Sequence, residues 1–114
     1  MFIKIENIKY NIEVKGSGKP IICLHGFSES ISTWEFIKIN GHQLILIDLT
    51  GHGKSDKPKF SKYYSLKVMI KYLNMIVLEL GIKKYSMLGY SMGGRIALAY
   101  ALAYPKGIDR KSVV

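Results

Sequence analysis

The 114-residue sequence lacks several features that assign a protein to a class at once. It has one cysteine, Cys23, so a disulfide within the chain is excluded. The first residues, MFIKIENIKY, contain neither the apolar stretch nor the small-residue cleavage site of a signal peptide. No run approaches the roughly 20 apolar residues that span a bilayer. These absences predict a cytoplasmic protein that does not bind a membrane.

Acidic residues are scarce as well, with eight Asp and Glu against 17 Lys and Arg and a formal net charge of +9. A basic balance of this size can indicate nucleic-acid binding. The lysines are scattered singly along the chain, however, and form no basic block. We therefore expect a solvated basic surface and no nucleic-acid partner, whereas a steep salt dependence of DNA binding would indicate one.

Apolar residues make up 48% of the chain, which is enough for the core of one small domain. Residues 2–14 alternate apolar and polar around Glu6 and Asn7, which predicts a β-hairpin. Continuous apolar runs predict strands that are buried on both faces, at residues 20–25, 43–49 and 83–90.

Two long helices are predicted between and after these strands. One begins after Ser65 as its N-cap, has one apolar face and ends at Gly81. The other, residues 92–104, is apolar on nearly every side and should be buried. A short helix is expected at 34–39. Buried strands that alternate with helices predict an α/β fold with a mainly parallel sheet.

The segment GYSMG, residues 89–93, matches the motif G-x-S-x-G between a predicted strand and a predicted helix. In so tight a turn, side chains at Gly89 and Gly93 would collide, and the hydroxyl of Ser91 is lifted above the strand ends. The N–H of Met92 can then donate to an oxyanion at the helix N-terminus. The pattern predicts a nucleophilic serine, and the simpler alternative is an N-capping serine in a glycine-rich turn.

The segment LHGFSES, residues 24–30, ends another predicted strand with His-Gly-x. In a G-x-S-x-G architecture this position carries the second oxyanion donor, which here is the N–H of Phe27. His25 is a candidate base, but the base follows the serine in chain order. We therefore expect His25 and Gly26 to have structural roles beside the site.

The segment DLTGHGKSDKP, residues 48–58, contains a Gly-Lys-Ser that is found in phosphate-binding loops. That motif needs a glycine where this chain has Asp48, which excludes a nucleoside triphosphatase. His52 and Asp56 are better explained as polar groups that fix the loop. The histidines at positions 25, 42 and 52 lack metal-ligand spacing, so no metal or other cofactor is expected.

Together, LHGFSESISTW, DLTGHGKSD and GYSMGGRIAL resemble the α/β-hydrolase superfamily. More narrowly, GYSMGGR with HGF and DxxGHGxSD is similar to the MenH family of menaquinone biosynthesis, the 2-succinyl-6-hydroxy-2,4-cyclohexadiene-1-carboxylate synthases. The resemblance extends from about Ile3 to Ile108, and its narrower part depends on Arg95. It implies that residues 1–108 form the N-terminal portion of one α/β-hydrolase domain.

The resemblance implies a lyase that eliminates pyruvate from a small cyclohexene carboxylate. Ser91, polarised by a histidine, would start proton abstraction, while the N–H groups of Phe27 and Met92 hold the developing oxyanion. Arg95 would pair with a substrate carboxylate through its planar guanidinium. The alternative for Arg95 is a surface arginine that bonds a neighbouring loop. The side chains that would line the pocket are Tyr90 and Trp34.

The chain departs from this family after Ser91, where an acid and then a histidine should follow. No histidine follows, and the one acid, Asp109, comes too soon. We therefore expect this chain to be inactive by itself. Two other functions stay open: part of a serine carboxylic-ester hydrolase of the same fold, and a non-catalytic binding module.

The last six residues, DRKSVV, do not resemble the apolar strand expected after YPKGI. Residues 109–114 can be encoded by GAT CGG AAG AGC GTC GTG before a TAG stop, which resembles read-through into a sequencing adapter. We therefore expect a non-native tail and a natural protein that continues past Ile108. A genuinely short protein is the alternative. Without the next strand, an exposed apolar sheet edge predicts an insoluble or molten chain.

Overall fold

A computed structural model describes the backbone of residues 1–113 and the side chains of residues 1–109. The described residues form six strands and two α-helices, with four strands before the first helix. The strands are β1 (Phe2–Ile5), β2 (Ile8–Gly16), β3 (Lys19–Leu24), β4 (His42–Ile47), β5 (Tyr85–Gly89) and β6 (Ile108–Val113). The helices are α1 (Leu66–Glu79) and α2 (Met92–Ala103), and single 3-10 turns lie at Ile31–Trp34 and Ser61–Tyr64.

The six strands form one sheet in the order β1-β2-β4-β3-β5-β6. The β1–β2 hairpin is antiparallel and joins β4 antiparallel, whereas β4, β3, β5 and β6 are mutually parallel. The parallel strands β3 and β4 carry the continuous apolar runs, as strands covered on both faces do. The predicted α/β fold with a mainly parallel sheet is confirmed.

The core lies on both faces of this sheet. On one face, α1 and α2 pack over Ile22, Leu24, Ile45 and Ile47. On the other face a smaller cluster contains Ile21, Cys23, Trp34, Leu44 and Leu46. No helix of the described residues is long and apolar enough to cross a membrane.

Three details differ from the expectations. The short helix lies at Ile31–Trp34 and not at 34–39, because the side chain of Ser30 accepts the N–H of Ser32 and begins the turn earlier. Helix α2 is not buried all round, since Leu98 is 41% and Leu102 80% exposed.

The third difference concerns the end of the chain. The backbone of Ile108–Val113 forms β6 and pairs in parallel with β5, from Tyr85–Ile108 to Gly89–Val113. The expectation that residues 109–114 do not continue the sheet is therefore wrong for the described residues 109–113, and β5 has no open edge. A parallel partner needs only backbone hydrogen bonds, which a polar sequence can also provide. That these residues come from adapter read-through stays a prediction.

Candidate active site

The turn between β5 and α2 holds Ser91 in an uncommon backbone conformation, with φ +56° and ψ −114°. Left-handed φ values are rare for residues with a side chain and occur where the surroundings enforce them. The Ser91 side chain is exposed and makes no capping hydrogen bond to α2. The capping alternative therefore does not account for this serine.

Glycine is required on both sides of Ser91 by close backbone approaches. A Cβ on Gly93 would lie 2.0 Å from the carbonyl oxygen of Leu24, at the end of β3. A Cβ on Gly89 would lie 2.4 Å from the carbonyl oxygen of Gly93. Both distances are far below van der Waals contact, so the first turn of α2 can sit on the strand ends only with glycine at these positions.

The backbone N–H groups in the first turn of α2 donate hydrogen bonds, with one exception. Gly93 N–H donates to the Tyr90 oxygen at 2.9 Å, and Gly94 and Arg95 donate to the Ser91 oxygen at 2.9 and 3.2 Å. Within the described residues, the N–H of Met92 has no acceptor. It is therefore a free donor at a helix N-terminus, directly after Ser91.

The loop that follows β3, residues 25–31, lies against the elbow at Ser91. A Cβ on Gly26 would be 3.4 Å from the Cβ of Ser91 and 3.1 Å from the Tyr90 ring. The Tyr90 N–H donates to the Leu24 oxygen at 3.0 Å and ties the two segments together. The two sequence motifs, residues 24–30 and 89–93, thus meet at one edge of the sheet.

Within this loop a turn from Gly26 to Glu29 leaves one donor free. Gly26 N–H donates to the Glu29 Oε1 at 3.3 Å, Ser28 N–H to the His52 Nε2 at 3.0 Å, and Glu29 N–H to the Gly26 oxygen at 3.2 Å. Of the four N–H groups from Gly26 to Glu29, only that of Phe27 has no acceptor among the described residues. Among the described residues the structure thus provides two unbonded N–H groups: that of Met92, the residue after Ser91, and that of Phe27, the residue after Gly26 in the loop that packs against Ser91.

His25 is fully buried behind this loop, and both of its ring nitrogens are bonded. Nδ1 donates to the Gly26 oxygen at 2.7 Å, and Nε2 accepts the Leu49 N–H at 3.0 Å. Burial lowers the pKa of the His25 imidazole below its ordinary value, so the neutral form is favoured. No ring nitrogen is left to take a proton from Ser91, and the position is that of a structural histidine.

The polar groups of the 48–58 segment fix its loop to its neighbours. His52 Nδ1 donates to the Thr50 oxygen at 3.0 Å, and its Nε2 accepts from Ser28. The Asp56 carboxylate accepts the Lys9 N–H at 2.8 Å and so joins the loop to β2.

Asp48 was noted in the sequence only because it excludes a phosphate-binding loop. It is 1% exposed, and its carboxylate accepts three hydrogen bonds, from Ile31 N–H (2.8 Å), Asn11 Nδ2 (3.0 Å) and Lys54 N–H (3.0 Å). It therefore fixes the far end of the 25–31 loop. An acid placed directly after a buried strand and before a glycine-rich loop was the signal available in the sequence.

The structure separates the expected substrate-binding residues. Tyr90 is half-exposed and contacts Gly26, and Arg95 is exposed on the first turn of α2. Trp34 differs from these two exposed residues, because its indole packs in the smaller core cluster and is 5% exposed. Two grooves of about 600 and 470 Å³ lie beside β2 and β4, and Ser91 lines neither. The elbow lies open on the surface of the described residues.

Comparison with known proteins places the chain among alpha/beta hydrolases. Residues 19–110 match a family model described as the alpha/beta hydrolase fold. A Bacillus subtilis (strain 168) protein with the provisional name 2-succinyl-6-hydroxy-2,4-cyclohexadiene-1-carboxylate synthase is 35% identical over 91% of this chain and 39% of its own length. Epoxide hydrolase 4 of Mus musculus is 32% identical over 98% of this chain and 33% of its own length.

Solved structures agree with this assignment. An alpha/beta hydrolase enzyme from a Medee basin deep-sea metagenome library superimposes with a TM-score of 0.91 and 27% identity. The match covers 99% of this chain and 43% of that one. The chain therefore spans about two-fifths of the length of such relatives.

Proposed function

This chain belongs to the alpha/beta hydrolase fold family, and we propose that it carries the nucleophile half of a lyase active site that eliminates pyruvate. The product would be 2-succinyl-6-hydroxy-2,4-cyclohexadiene-1-carboxylate, an intermediate of menaquinone biosynthesis. One observation carries the proposal: Ser91 is exposed in a strained turn, and two N–H groups have no acceptor among the described residues, that of Met92 next in the chain and that of Phe27 in the loop packed against the turn. Donors held in this way stabilise a negative charge as it develops.

In the proposed reaction, Ser91 relays a proton and forms no acyl-enzyme. A base removes a ring proton, a carbon–carbon double bond forms in the ring, and the carbon–oxygen bond to the enolpyruvyl group breaks. The leaving group departs as the enolate of pyruvate and takes up a proton at its methylene carbon to give pyruvate. The Phe27 and Met92 N–H groups hold the oxyanion of the substrate. No histidine follows Ser91 in the sequence, and both His25 nitrogens are bonded, so the base lies outside the described site.

Arg95 is the proposed partner of a substrate carboxylate. It lies four residues after Ser91 and is exposed. Helical side chains tilt toward the N-terminus of their helix, which directs Arg95 toward the elbow. A cation in the first turn opposes the helix dipole, and an anionic substrate offsets this cost.

A serine carboxylic-ester hydrolase is the second candidate. The same geometry suits it, because acyl transfer also needs an exposed serine and two N–H donors for a tetrahedral oxyanion. In that case Ser91 would form a covalent acyl-enzyme that water then hydrolyses.

The first experiment is to sequence the source DNA across codon 108 and beyond from an independent library. We expect the frame to continue into apolar strands and to encode an acid and then a histidine. If DRKSVV and its stop recur, Ser91 has no base and the enzyme proposal for this polypeptide fails. A long frame without the late histidine supports the non-catalytic binding module.

The second experiment separates the two enzyme candidates in the longer protein. A lyase releases pyruvate from the succinyl-carrying cyclohexene dicarboxylate and accumulates little acyl-serine with p-nitrophenyl esters in intact-mass spectra. A hydrolase releases no pyruvate from that substrate and accumulates acyl-serine with p-nitrophenyl esters. Ser91→Ala should lower either rate by about 100-fold or more. Arg95→Met, compared with the charge-conserving Arg95→Lys, should raise KM only for the carboxylate substrate.

A further inference from the structure

Two histidines join the 25–31 loop to the 48–58 segment by reciprocal hydrogen bonds. His25, on the first loop, accepts the Leu49 N–H of the second segment at 3.0 Å. His52, on the second segment, accepts the Ser28 N–H of the first loop at 3.0 Å. The two rings lie 5.0 Å apart, and each Nδ1 is bonded to a backbone oxygen within its own segment.

The bond from Ser28 to His52 acts on the peptide next to the Phe27 donor. Ser28 has φ +60°, in the left-handed region that side-chain-bearing residues adopt only when held there. The Phe27 ring packs edge-on against the His52 ring at 5.8 Å. The hydrogen bonds between Gly26 and Glu29 close the turn but do not involve the Phe27–Ser28 peptide. Among the described residues, the hydrogen bond of that peptide goes to His52.

We propose that His52 is a positioning residue for the oxyanion donor: its unprotonated Nε2 holds the Phe27–Ser28 peptide so that the Phe27 N–H stays free and faces Ser91. This role rests on the proposed function, because it matters only if Phe27 stabilises an oxyanion. Among side chains at this place, histidine combines an acceptor for Ser28 with a donor to the Thr50 oxygen of its own loop. The bond also fixes the tautomer, with the proton on Nδ1.

The test uses the full chain and two matched variants. His52→Phe keeps an aromatic ring against Phe27 and removes the acceptor, whereas His52→Gln keeps an acceptor oxygen. His42→Phe is the control, because His42 bonds only the Asn40 oxygen in another loop. Amide hydrogen exchange of Ser28 is measured by NMR in all four proteins. Phenylphosphonate, a tetrahedral anion, is then titrated while the Phe27 and Met92 amide signals are followed.

We expect Ser28 exchange to accelerate at least 10-fold in His52→Phe, and to stay slow in His52→Gln and His42→Phe. Phenylphosphonate should shift both the Phe27 and the Met92 signals in the unsubstituted chain. In His52→Phe its affinity should fall roughly 10-fold and the Phe27 shift should be lost, because small misplacements of a catalytic group have effects of this size. In His52→Gln, both the affinity for phenylphosphonate and the shift of the Phe27 signal should match those of the unsubstituted chain.

Unchanged Ser28 exchange in a folded His52→Phe variant would overturn the proposal. If that variant does not fold, the tautomer in the unsubstituted chain decides: a long-range ¹H–¹⁵N spectrum that shows a protonated Nε2 on His52 also overturns it. A failure of the proposed function looks different. In that case phenylphosphonate shifts neither amide, while Ser28 exchange still depends on the residue at position 52.

Discussion

The backbone of Ser91, the residue that we propose as the proton relay or nucleophile, is strained. Its φ of +56° is a conformation that glycine adopts without cost, and a side chain there costs about 1–3 kcal/mol. Ser91→Gly should therefore raise the free energy of unfolding by about 1 kcal/mol, after the larger chain entropy of unfolded glycine is subtracted. Urea unfolding followed by circular dichroism measures the change.

Ser91→Ala is the control for this prediction. Alanine keeps a Cβ at the same φ and also lacks the hydroxyl, so its stability should stay within about 0.5 kcal/mol of the parent. Equal stabilities of the Gly and Ala variants would mean that the turn is not strained.

His25 should make stability depend on pH. Burial lowers its pKa in the folded state below the ordinary value of 6.5, so below about pH 6.5 the unfolded chain binds more protons than the folded chain. The free energy of unfolding is therefore highest above pH 6.5 and falls as the pH decreases toward the folded-state pKa. The slope is at most about 1.4 kcal/mol per pH unit for one group.

Urea unfolding at pH 7.5, 6.5 and 5.5 measures this slope. A stability that is constant over this range would contradict the burial of a neutral His25.

The site residues differ in how far the sequence alone could predict them. Gly89, Ser91 and Gly93 are found by spacing, because a strand-to-helix turn imposes local steric rules. The pairing of Ser28 with His52 joins residues 24 apart, and that of Asn11 with Asp48 joins residues 37 apart. No local pattern specifies such contacts, because they depend on the strand order of the sheet.

At the scale of elements, local signals predicted most boundaries. Helix α1 begins where Ser65 caps it, and β3, β4 and β5 lie within one or two residues of their apolar runs. The failures are the short turn at Ile31–Trp34, which one side chain begins, and β6, whose partner is a strand more than 20 residues earlier. In both cases the element depends on hydrogen bonds, of the Ser30 side chain or of the β5 backbone, and a pattern of apolar residues does not predict these.

The N-cap of α1 gives an element-scale prediction. The Ser65 Oγ accepts the Val68 N–H at 3.2 Å and satisfies one of the free donors of the first turn. Ser65→Ala should lower the free energy of unfolding by about 1 kcal/mol. Ser65→Asp also caps the helix and favours the positive end of its dipole, so it should retain stability. Thermal unfolding measures both variants. Unchanged stability of Ser65→Ala would show that the cap contributes nothing, and an equal loss in both variants would assign the loss to another interaction of Ser65.

At the scale of the whole molecule, the chain contains one edge of the proposed active site. Phe27 and Ser91 lie in the segments that follow β3 and β5, and Met92 and Arg95 lie on the first turn of α2. The family match extends over residues 19–110, yet the chain aligns with only 33% to 39% of the length of the two relatives. Chemistry that needs a base after Ser91 must therefore use residues beyond those described.

Exposed apolar surface on α2 should cause this chain to self-associate. The expected open edge at β5 is closed by β6, but Leu98 and Leu102 lie one turn apart and are 41% and 80% exposed. Leu102→Lys preserves helix propensity and should lower the apparent mass in concentration-dependent light scattering. Leu78→Lys adds the same charge at another exposed leucine, on α1, and should have little effect. If both variants reduce association equally, repulsion between the basic chains explains it, and the α2 surface does not.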